Sequence, residues 1–196
     1  MRGQVPAPPK PPAASAPWDR HGPLRGPWGV ARLGRPGADQ RPEGFQRVAA
    51  ALAERGHPHP PLWLDVAART SQEAADALGV EVGQIAKSVI FKRRSDDRAV
   101  LVITSGDRRV DEGRVAAITG ALARADAEFV KARTGFSIGG VAPLAHTEPA
   151  LTLIDRELFR FSEIWAAAGH PNGVFKLAPA DLERLTGAPV VDVVRA

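Results

Sequence analysis

A lysine inside an otherwise apolar run constrains this chain more than any other feature. Residues 84–92 read QIAKSVIFK. The run predicts a β-strand whose side chains alternate between two faces, with Lys87 on the more apolar face beside Ile85, Val89 and Phe91. A buried ammonium is unfavourable unless it is paired, and burial lowers its pKa. Lys87 therefore either extends its ammonium to the edge of the sheet or is held in the strand for chemistry.

The positive charge of the chain is concentrated at its N-terminus. The 196 residues carry a formal net charge of +4, and residues 1–42 contribute +5 through seven Arg or Lys against two Asp. The same stretch holds ten of the 18 prolines and no sustained apolar pattern, so it cannot bury enough surface to offset its chain entropy. We therefore predict a disordered tail at residues 1–42, which assists RNA capture, and a single domain at residues 43–196.

The composition argues against several kinds of chemistry. The chain has no cysteine, which excludes disulfides, a thiol nucleophile and cysteine-ligated metals. Its five histidines lack a metal-binding spacing, so neither a metal nor another cofactor is predicted. No run reaches the roughly 20 apolar residues of a membrane span, and no apolar signal segment follows the N-terminus. The sequence predicts a soluble, cytoplasmic protein without membrane contact.

The order of helix and strand signals predicts the fold class α+β. Helix patterns occur at residues 43–55, 112–118, 127–133 and 179–185, and another follows the capping-box sequence Thr70-Ser71-Gln72-Glu73. Strand patterns occur at residues 62–66, 84–92, 99–104, 151–154, 174–177 and 190–194, and the polar turn at 93–98 predicts a hairpin. Because strands often follow one another directly, we expect a mixed, largely antiparallel sheet surrounded by helices.

Three further segments could line a binding site, and each has an alternative as an ordinary turn. Residues 134–143 (TGFSIGGVAP) contain paired glycines that let a ligand approach the backbone closely. Residues 168–173 (AGHPNG) contain Asn-Gly, a strong hairpin signal. Residues 104–108 (TSGDR) place small polar side chains at a strand end. None of the three matches a nucleotide phosphate loop.

Taken together and in order, these segments resemble the YbaK-like family of aminoacyl-tRNA deacylases, which is related to the editing domain of bacterial prolyl-tRNA synthetase. The resemblance extends over residues 70–194 and is carried by TSQEAADALGV, GQIAKSVIF, LVITSGDRRVD, TGFSIGGVAPLAH, LID and AGHPNGVFKLAPADL. It implies a curved mixed sheet with helices. It also implies hydrolysis of the ester that joins a wrong amino acid to tRNA.

The resemblance also implies particular site residues. Lys87 matches the family's active-site lysine, and the other residues expected to bind the substrate are Thr70, Ser105, Gly139, Gly140, Val141, His146, Gly169, His170 and Pro171. The chain departs from the family pattern at Phe136, where tyrosine is frequent, and at Ala145, where a glycine often precedes the histidine. These departures leave the amino-acid specificity open.

The leading hypothesis is trans-editing of a mischarged aminoacyl-tRNA. The Gly139-Gly140 backbone would stabilise the developing oxyanion, Lys87 would anchor the terminal nucleotide or polarise the site, and water or a nucleotide hydroxyl would attack. One alternative is a non-catalytic module that binds aminoacyl-tRNA for regulation. Another is that only the tail binds RNA, while the domain acts on a small acyl compound. The sequence predicts no particular oligomeric state.

Overall fold

The computed structural model describes residues 40–195. The tail predicted at residues 1–42 lies almost entirely outside the described residues. The part of the chain that the structure describes contains five α-helices, namely α1 (Glu43–Glu54), α2 (Ser71–Leu78), α3 (Glu112–Thr119), α4 (Ala127–Thr134) and α5 (Pro179–Thr186). Within residues 40–195, no helix is both long and apolar enough to cross a membrane.

Eight strands in the same range form one sheet. They are β1 (Leu62–Trp63), β2 (Ile85–Arg93), β3 (Ala99–Ser105), β4 (Leu122–Arg124), β5 (Leu151–Asp155), β6 (Ile164–Ala167), β7 (Gly173–Leu177) and β8 (Val190–Val191). The order is β1-β7-β6-β2-β3-β5-β8, with β4 beside β2. The β1–β7, β6–β7, β2–β3 and β2–β4 pairs are antiparallel, and the β2–β6, β3–β5 and β5–β8 pairs are parallel. The predicted α+β class with a mixed, largely antiparallel sheet is confirmed.

The predicted hairpin is the centre of this sheet. Strands β2 and β3 pair in one continuous antiparallel register from Ala86 opposite Ser105 to Lys92 opposite Ala99. Every residue of β3 is buried, as its two apolar faces predict. One face of the sheet packs against α1, α4 and α5 through Val48, Val130 and Leu182. The opposite face packs against Val115 of α3. Lys87 therefore lies in a central strand of a sheet that packs against helices on both faces.

Capping residues in the sequence mark the starts of two helices. The Thr70 hydroxyl accepts a hydrogen bond from the Glu73 amide at 3.2 Å, and the Glu73 carboxylate accepts one from the Thr70 amide at 3.0 Å. This is the predicted capping box, and it begins α2 at Ser71. Asp155 caps the short 3₁₀ helix that follows β5, because its carboxylate accepts from the Glu157 amide at 3.1 Å. The capping box therefore fixes the start of α2, the helix that contacts β2.

The strands at the margins of the sheet differ from prediction. The first ends at Trp63, because the next amide, that of Leu64, donates to Asn172 O at 2.6 Å in a turn. The last ends at Val191, and the amide of Val193 donates to the buried Asp155 carboxylate at 3.3 Å. Two strands were not predicted at all: β4, which has three residues, and β6, which has four. Both are short. Strand β4 pairs with β2, and β6 pairs with β2 at two residues and with β7 at all four.

Candidate functional site

A cavity of about 820 Å³ lies at an open edge of β2. On the side away from β3, β2 pairs with β6 at Ile85 and Ala86 and with β4 from Phe91 onward. Between these two short pairings, residues 87–90 have no strand partner on that side within residues 40–195. We call this space the edge cavity. Its walls are residues 85–90 of β2, β6, the segment 68–72 at the start of α2, and the loop 138–141.

The open edge presents unpaired backbone groups to the edge cavity. The Arg93 amide donates to Arg98 O across the hairpin, whereas the Arg94 amide donates to Ala121 O on the β4 side. Backbone groups of successive strand residues point to opposite sides, so the N–H and C=O of Ser88 and the N–H of Ile90 face the gap, whereas the C=O of Ile90 belongs to the first pairing with β4. These groups can hydrogen-bond a ligand without any rearrangement of the sheet.

Lys87 stands where the edge cavity meets a second cavity of about 1080 Å³, and both cavities include Lys87 and Gly106 in their walls. Its ammonium donates a hydrogen bond to the Arg108 carbonyl at 2.9 Å. Burial lowers the pKa of Lys87 below its usual 10.5, and the nearby positive charge of Arg109 lowers it further, while Asp107 acts in the opposite direction. The charged ammonium is thus held at a boundary where an anionic ligand would stabilise it.

Two buried polar atoms of the edge cavity have no hydrogen-bond partner among the described residues. They are the Ser88 hydroxyl oxygen and the indole nitrogen of Trp165. A buried polar atom without a partner is destabilising by about 1–3 kcal/mol, and such atoms are rare in native proteins. The fold within residues 40–195 thus leaves two polar groups of the cavity wall unused.

The loop at residues 138–141, which we call the glycine loop, forms one wall of the edge cavity through Gly139 and Val141. Gly140 does not line it. The Gly140 amide donates to Ser137 O at 3.0 Å within the loop, and a Cβ at Gly140 would lie 2.7 Å from His170 Cα. Gly140 is thus required where the loop crosses the backbone of His170, and its N–H is already hydrogen-bonded.

His146 contacts residues on either side of the glycine loop and lies outside the lining of the edge cavity. One of its ring nitrogens, Nε2, lies 2.7 Å from the Ala142 carbonyl, and the ring packs edge-on against Phe136. Burial lowers the pKa of His146 below its usual 6.5. The side chain does not line the edge cavity. In this structure its contacts fix the loop.

The turn between β6 and β7 packs against the glycine loop, where the backbone of His170 meets Gly140. The His170 ring stacks on Trp63 with centroids 4.8 Å apart, and its Nδ1 accepts from the Asn172 amide at 3.1 Å. Burial lowers the pKa of His170. Pro171 lines the edge cavity, and its carbonyl accepts from the Ala68 amide at 2.8 Å. Gly169, at φ +82°, packs against the backbone of α1.

The structure divides the predicted site residues into two groups. Five of them line the edge cavity: Thr70, Lys87, Gly139, Val141 and Pro171. The other five do not line the cavity and instead contact the segments that do: Ser105, Gly140, His146, Gly169 and His170. Ser105 is buried, donates to Gly83 O and accepts from Arg160 Nη2 at 2.9 Å. Within residues 40–195, no cluster of three or more His, Asp or Glu side chains could hold a metal ion.

Sequence reasoning missed Ser88 and Trp165. Ser88 follows Lys87 directly but looks like an ordinary strand serine, and its lack of a partner is visible only in three dimensions. Trp165 lies in β6, one of the two strands that were not predicted. A signal for β6 was present: the apolar run at residues 164–167 precedes the Asn-Gly turn, and residues 174–177 follow it. The hairpin rule could have paired the two runs.

The buried imidazole of His146 should make folding sensitive to acid. In the folded protein the pKa of His146 lies below 6.5, so the unfolded chain binds a proton at a higher pH than the folded chain does. The stabilisation that neutral His146 contributes is therefore complete above pH 6.5 and is lost as the pH falls through the folded pKa. We expect the melting temperature of the His146→Gln variant to fall less between pH 7.5 and pH 5.5 than that of the parent, by on the order of 2 °C. Equal falls in parallel thermal melts would contradict this assignment. His59→Gln, at an exposed position, is the control.

Comparisons with known proteins cover the segments that form the cavity. A family model described as the aminoacyl-tRNA editing domain matches residues 65–185. The uncharacterized protein YwhH of Bacillus subtilis is 30% identical over 131 residues, which cover 66% of this chain and 83% of that protein. Proline-tRNA ligase of Limosilactobacillus fermentum is 32% identical over 96 residues, which cover 46% of this chain and 17% of the ligase.

Solved structures give the same similarity in three dimensions. A crystal structure described as that of a provisional trans-editing enzyme for prolyl tRNA synthetase has a TM-score of 0.74 and 39% identity, over 80% of this chain and 99% of that chain. The hypothetical protein APE2540 has a TM-score of 0.69 and 30% identity, over 76% of this chain and 99% of that chain.

Proposed function

Because the chain belongs to the aminoacyl-tRNA editing domain family, we propose that it is a trans-editing deacylase that hydrolyses the ester of mischarged aminoacyl-tRNA. One observation carries this proposal. The edge cavity brings an apolar space, the unpaired backbone of Ser88 and Ile90, and the Lys87 ammonium to one place, at the boundary with a second, polar cavity. That arrangement suits a ligand with an aminoacyl group at one end and a phosphate at the other.

In the proposed complex the aminoacyl group occupies the edge cavity and the terminal nucleotide lies at its mouth. The small apolar side chains that line the cavity, such as Ala68, Val82 and Ala166, would exclude water from the aminoacyl side chain. Lys87 would then face the phosphate or ribose of the terminal nucleotide. A compact ammonium binds phosphate well as a point charge.

Attack on the ester carbonyl would come from water, because attack by the neighbouring hydroxyl of the terminal ribose would only move the acyl group from one ribose oxygen to the other. The Ser88 hydroxyl makes no hydrogen bond to a base within residues 40–195, so nothing activates it as a nucleophile. When water attacks, the carbon–oxygen bond to the ribose breaks and the water proton passes to the leaving ribose oxygen. The carbonyl oxygen becomes negative in the transition state, and preorganised N–H donors stabilise that charge.

The donors for this charge are backbone amides. Those of Ser88 and Ile90 face the gap in the sheet, and the amides of Gly139 and Val141 make no hydrogen bond within residues 40–195. The Gly140 amide is engaged with Ser137 O. We therefore assign the oxyanion contact to the open edge and to Gly139 or Val141, with Gly140 as the support of the loop.

The test is release of free amino acid from mischarged tRNAs. The panel begins with proline tRNA carrying amino acids other than proline, since a solved relative is described as acting with prolyl tRNA synthetase. A deacylase releases more amino acid than there are protein molecules present. A protein that only binds aminoacyl-tRNA, which is the competing function, protects the ester against spontaneous hydrolysis instead.

Ser88→Ala should separate ligand binding from folding. Because the Ser88 hydroxyl has no partner within residues 40–195, its removal should leave the melting temperature unchanged or raise it. If the hydroxyl contacts the substrate, kcat/KM for deacylation should fall roughly two- to ten-fold, as expected for one hydrogen bond. Ser95→Ala, at an exposed position in the β2–β3 turn, is the matched control. A destabilised Ser88→Ala protein with parental kcat/KM would mean that Ser88 only serves packing.

A further inference from the structure

The second cavity contains more positive charge than the fold uses. We call it the arginine cavity, since four of its five basic side chains are arginines: Lys87, Arg108, Arg109, Arg114 and Arg195. Its acidic side chains are Asp107, Glu157 and Asp192. It adjoins the edge cavity, and Lys87 and Gly106 belong to both. A ligand that extends out of the edge cavity past Lys87 therefore enters the arginine cavity.

The ion pairs of this cavity leave two guanidinium groups unneutralised. Arg108 lies 3.2 Å from both Asp107 and Glu157. Arg114 lies 3.9 Å from Asp192 and donates to the carbonyl of Val194 at 3.2 Å. Within residues 40–195, the side chains of Arg109 and Arg195 form no ion pair and no hydrogen bond. Together with Lys87, they are cations of the cavity without an anionic partner.

The backbone holds these two arginines side by side. The Arg195 amide donates to Arg109 O at 2.9 Å, and Val110 and Val194 form an antiparallel bridge next to them. The Asp111 amide also donates to Val193 O at 2.8 Å. Both arginines are exposed, so ligands can reach them. Like charges held this close repel each other, and an anion between them removes the repulsion.

We propose that the arginine cavity binds the phosphodiester groups that precede the terminal nucleotide of the RNA. This inference rests on the proposed function, since it extends the path of the same substrate beyond Lys87. A strand whose terminal phosphate meets Lys87 must continue across Gly106 toward Arg109 and Arg195. Arginine suits this task, because its planar guanidinium donates two parallel hydrogen bonds to the oxygens of one phosphate.

The experiment measures RNA binding, so that it does not depend on hydrolysis. The probe is a short single-stranded RNA ending in CCA and labelled at its 5′ end, and the reference ligand is adenosine monophosphate, which lacks the preceding phosphodiesters. The Kd of each is measured across a salt series for the parent and for the Arg109→Gln/Arg195→Gln double variant. The control double variant, Arg94→Gln/Arg98→Gln, removes the same charge from exposed positions at the other end of β2.

We expect the Arg109→Gln/Arg195→Gln protein to bind the RNA about ten-fold or more weakly than the control variant does. Its plot of log Kd against log salt should be shallower by about 1.4, or 0.7 for each lost contact to a single strand. Its Kd for adenosine monophosphate should change by a smaller factor than its Kd for RNA. Equal Kd values and slopes in the two double variants would overturn the proposal, and so would a parent that binds RNA no more tightly than adenosine monophosphate.

The two proposals fail in different ways. A protein that binds the RNA through Arg109 and Arg195 but releases no amino acid would refute the deacylase and retain the phosphodiester site. A protein that deacylates tRNA with the same RNA affinity in both double variants would refute the phosphodiester site and retain the deacylase. Melting temperatures close to the parent value in both double variants ensure that the comparison concerns binding.

Discussion

Replacing Lys87 by methionine is expected to reduce deacylation by roughly 100-fold or more while the protein melts no lower than the parent. Methionine is unbranched and close to lysine in volume, but it removes a charge that burial disfavours. The change sacrifices one hydrogen bond to the Arg108 carbonyl. The loss of activity follows because the ammonium is the group placed to face the phosphate or ribose of the terminal nucleotide, and a charge preorganised at a reacting site typically contributes 10²–10³ in rate.

Lys92→Met is the matched control for this prediction. Lys92 lies on the same strand but on the other face, where it pairs with Asp97 at 3.0 Å, and it lines neither cavity. An ion pair at such a position contributes little to stability, so activity should stay within a few-fold of the parent. The measurement is single-turnover deacylation and thermal melting of the same samples. Parental activity in a stable Lys87→Met protein would show that Lys87 has no part in the reaction.

Substitutions at Gly140 should have effects of similar size for a different reason. Even the Cβ of alanine would lie 2.7–2.9 Å from the Cα, C and N atoms of His170, and backbone atoms cannot move aside cheaply. We therefore expect both Gly140→Ala and Gly140→Val to displace the glycine loop, to lower the melting temperature and to reduce deacylation by roughly 100-fold or more.

The pair of variants distinguishes packing from direct substrate contact. If Gly140 faced the ester, alanine would be tolerated much better than valine, because only the larger side chain would fill the pocket. If it packs against His170, both variants fail. Gly113→Val is the control, since Gly113 is exposed in α3 and an added Cβ would meet only the Asp111 side chain, at 3.3 Å. A fully active, stable Gly140→Ala protein would contradict the close packing.

Those parts of the fold that depend on neighbouring residues could be predicted from the sequence. The capping box at Thr70 and Glu73, the β2–β3 hairpin and the cap at Asp155 each rest on residues close in the chain. Strand β4 could not be identified in the same way, because three residues carry little periodicity and its pairing with β2 joins distant segments. The Asn-Gly signal could have indicated β6 as the partner of β7, but its parallel pairing with β2 also joins distant segments. The shortness of β4 and β6 is what leaves residues 87–90 without a partner, so the open edge was not predictable either.

The candidate site was predictable to the extent that a residue conflicts with its local pattern. Lys87 is a charge in an apolar strand, and the paired glycines at residues 139–140 permit a close approach to the backbone, so the sequence draws attention to both. The sequence could not show that Gly139 and Val141 line the cavity while Gly140 does not, because this difference depends on the close packing of Gly140 against His170. The sequence also did not indicate that Arg109 and Arg195 lie side by side, since a short bridge between distant segments brings them together.

The central claim is that this chain turns over mischarged aminoacyl-tRNA, and its most direct test is multiple-turnover deacylation with substoichiometric protein. The parent and the Lys87→Met variant are incubated with the same mischarged tRNA, and the free amino acid is measured against spontaneous hydrolysis. Deacylation by this site predicts many equivalents of amino acid per molecule of parent and close to the spontaneous level with Lys87→Met. Release at or below the spontaneous level with the parent, across the whole panel of mischarged tRNAs, would contradict the claim and favour a protein that only binds its ligand.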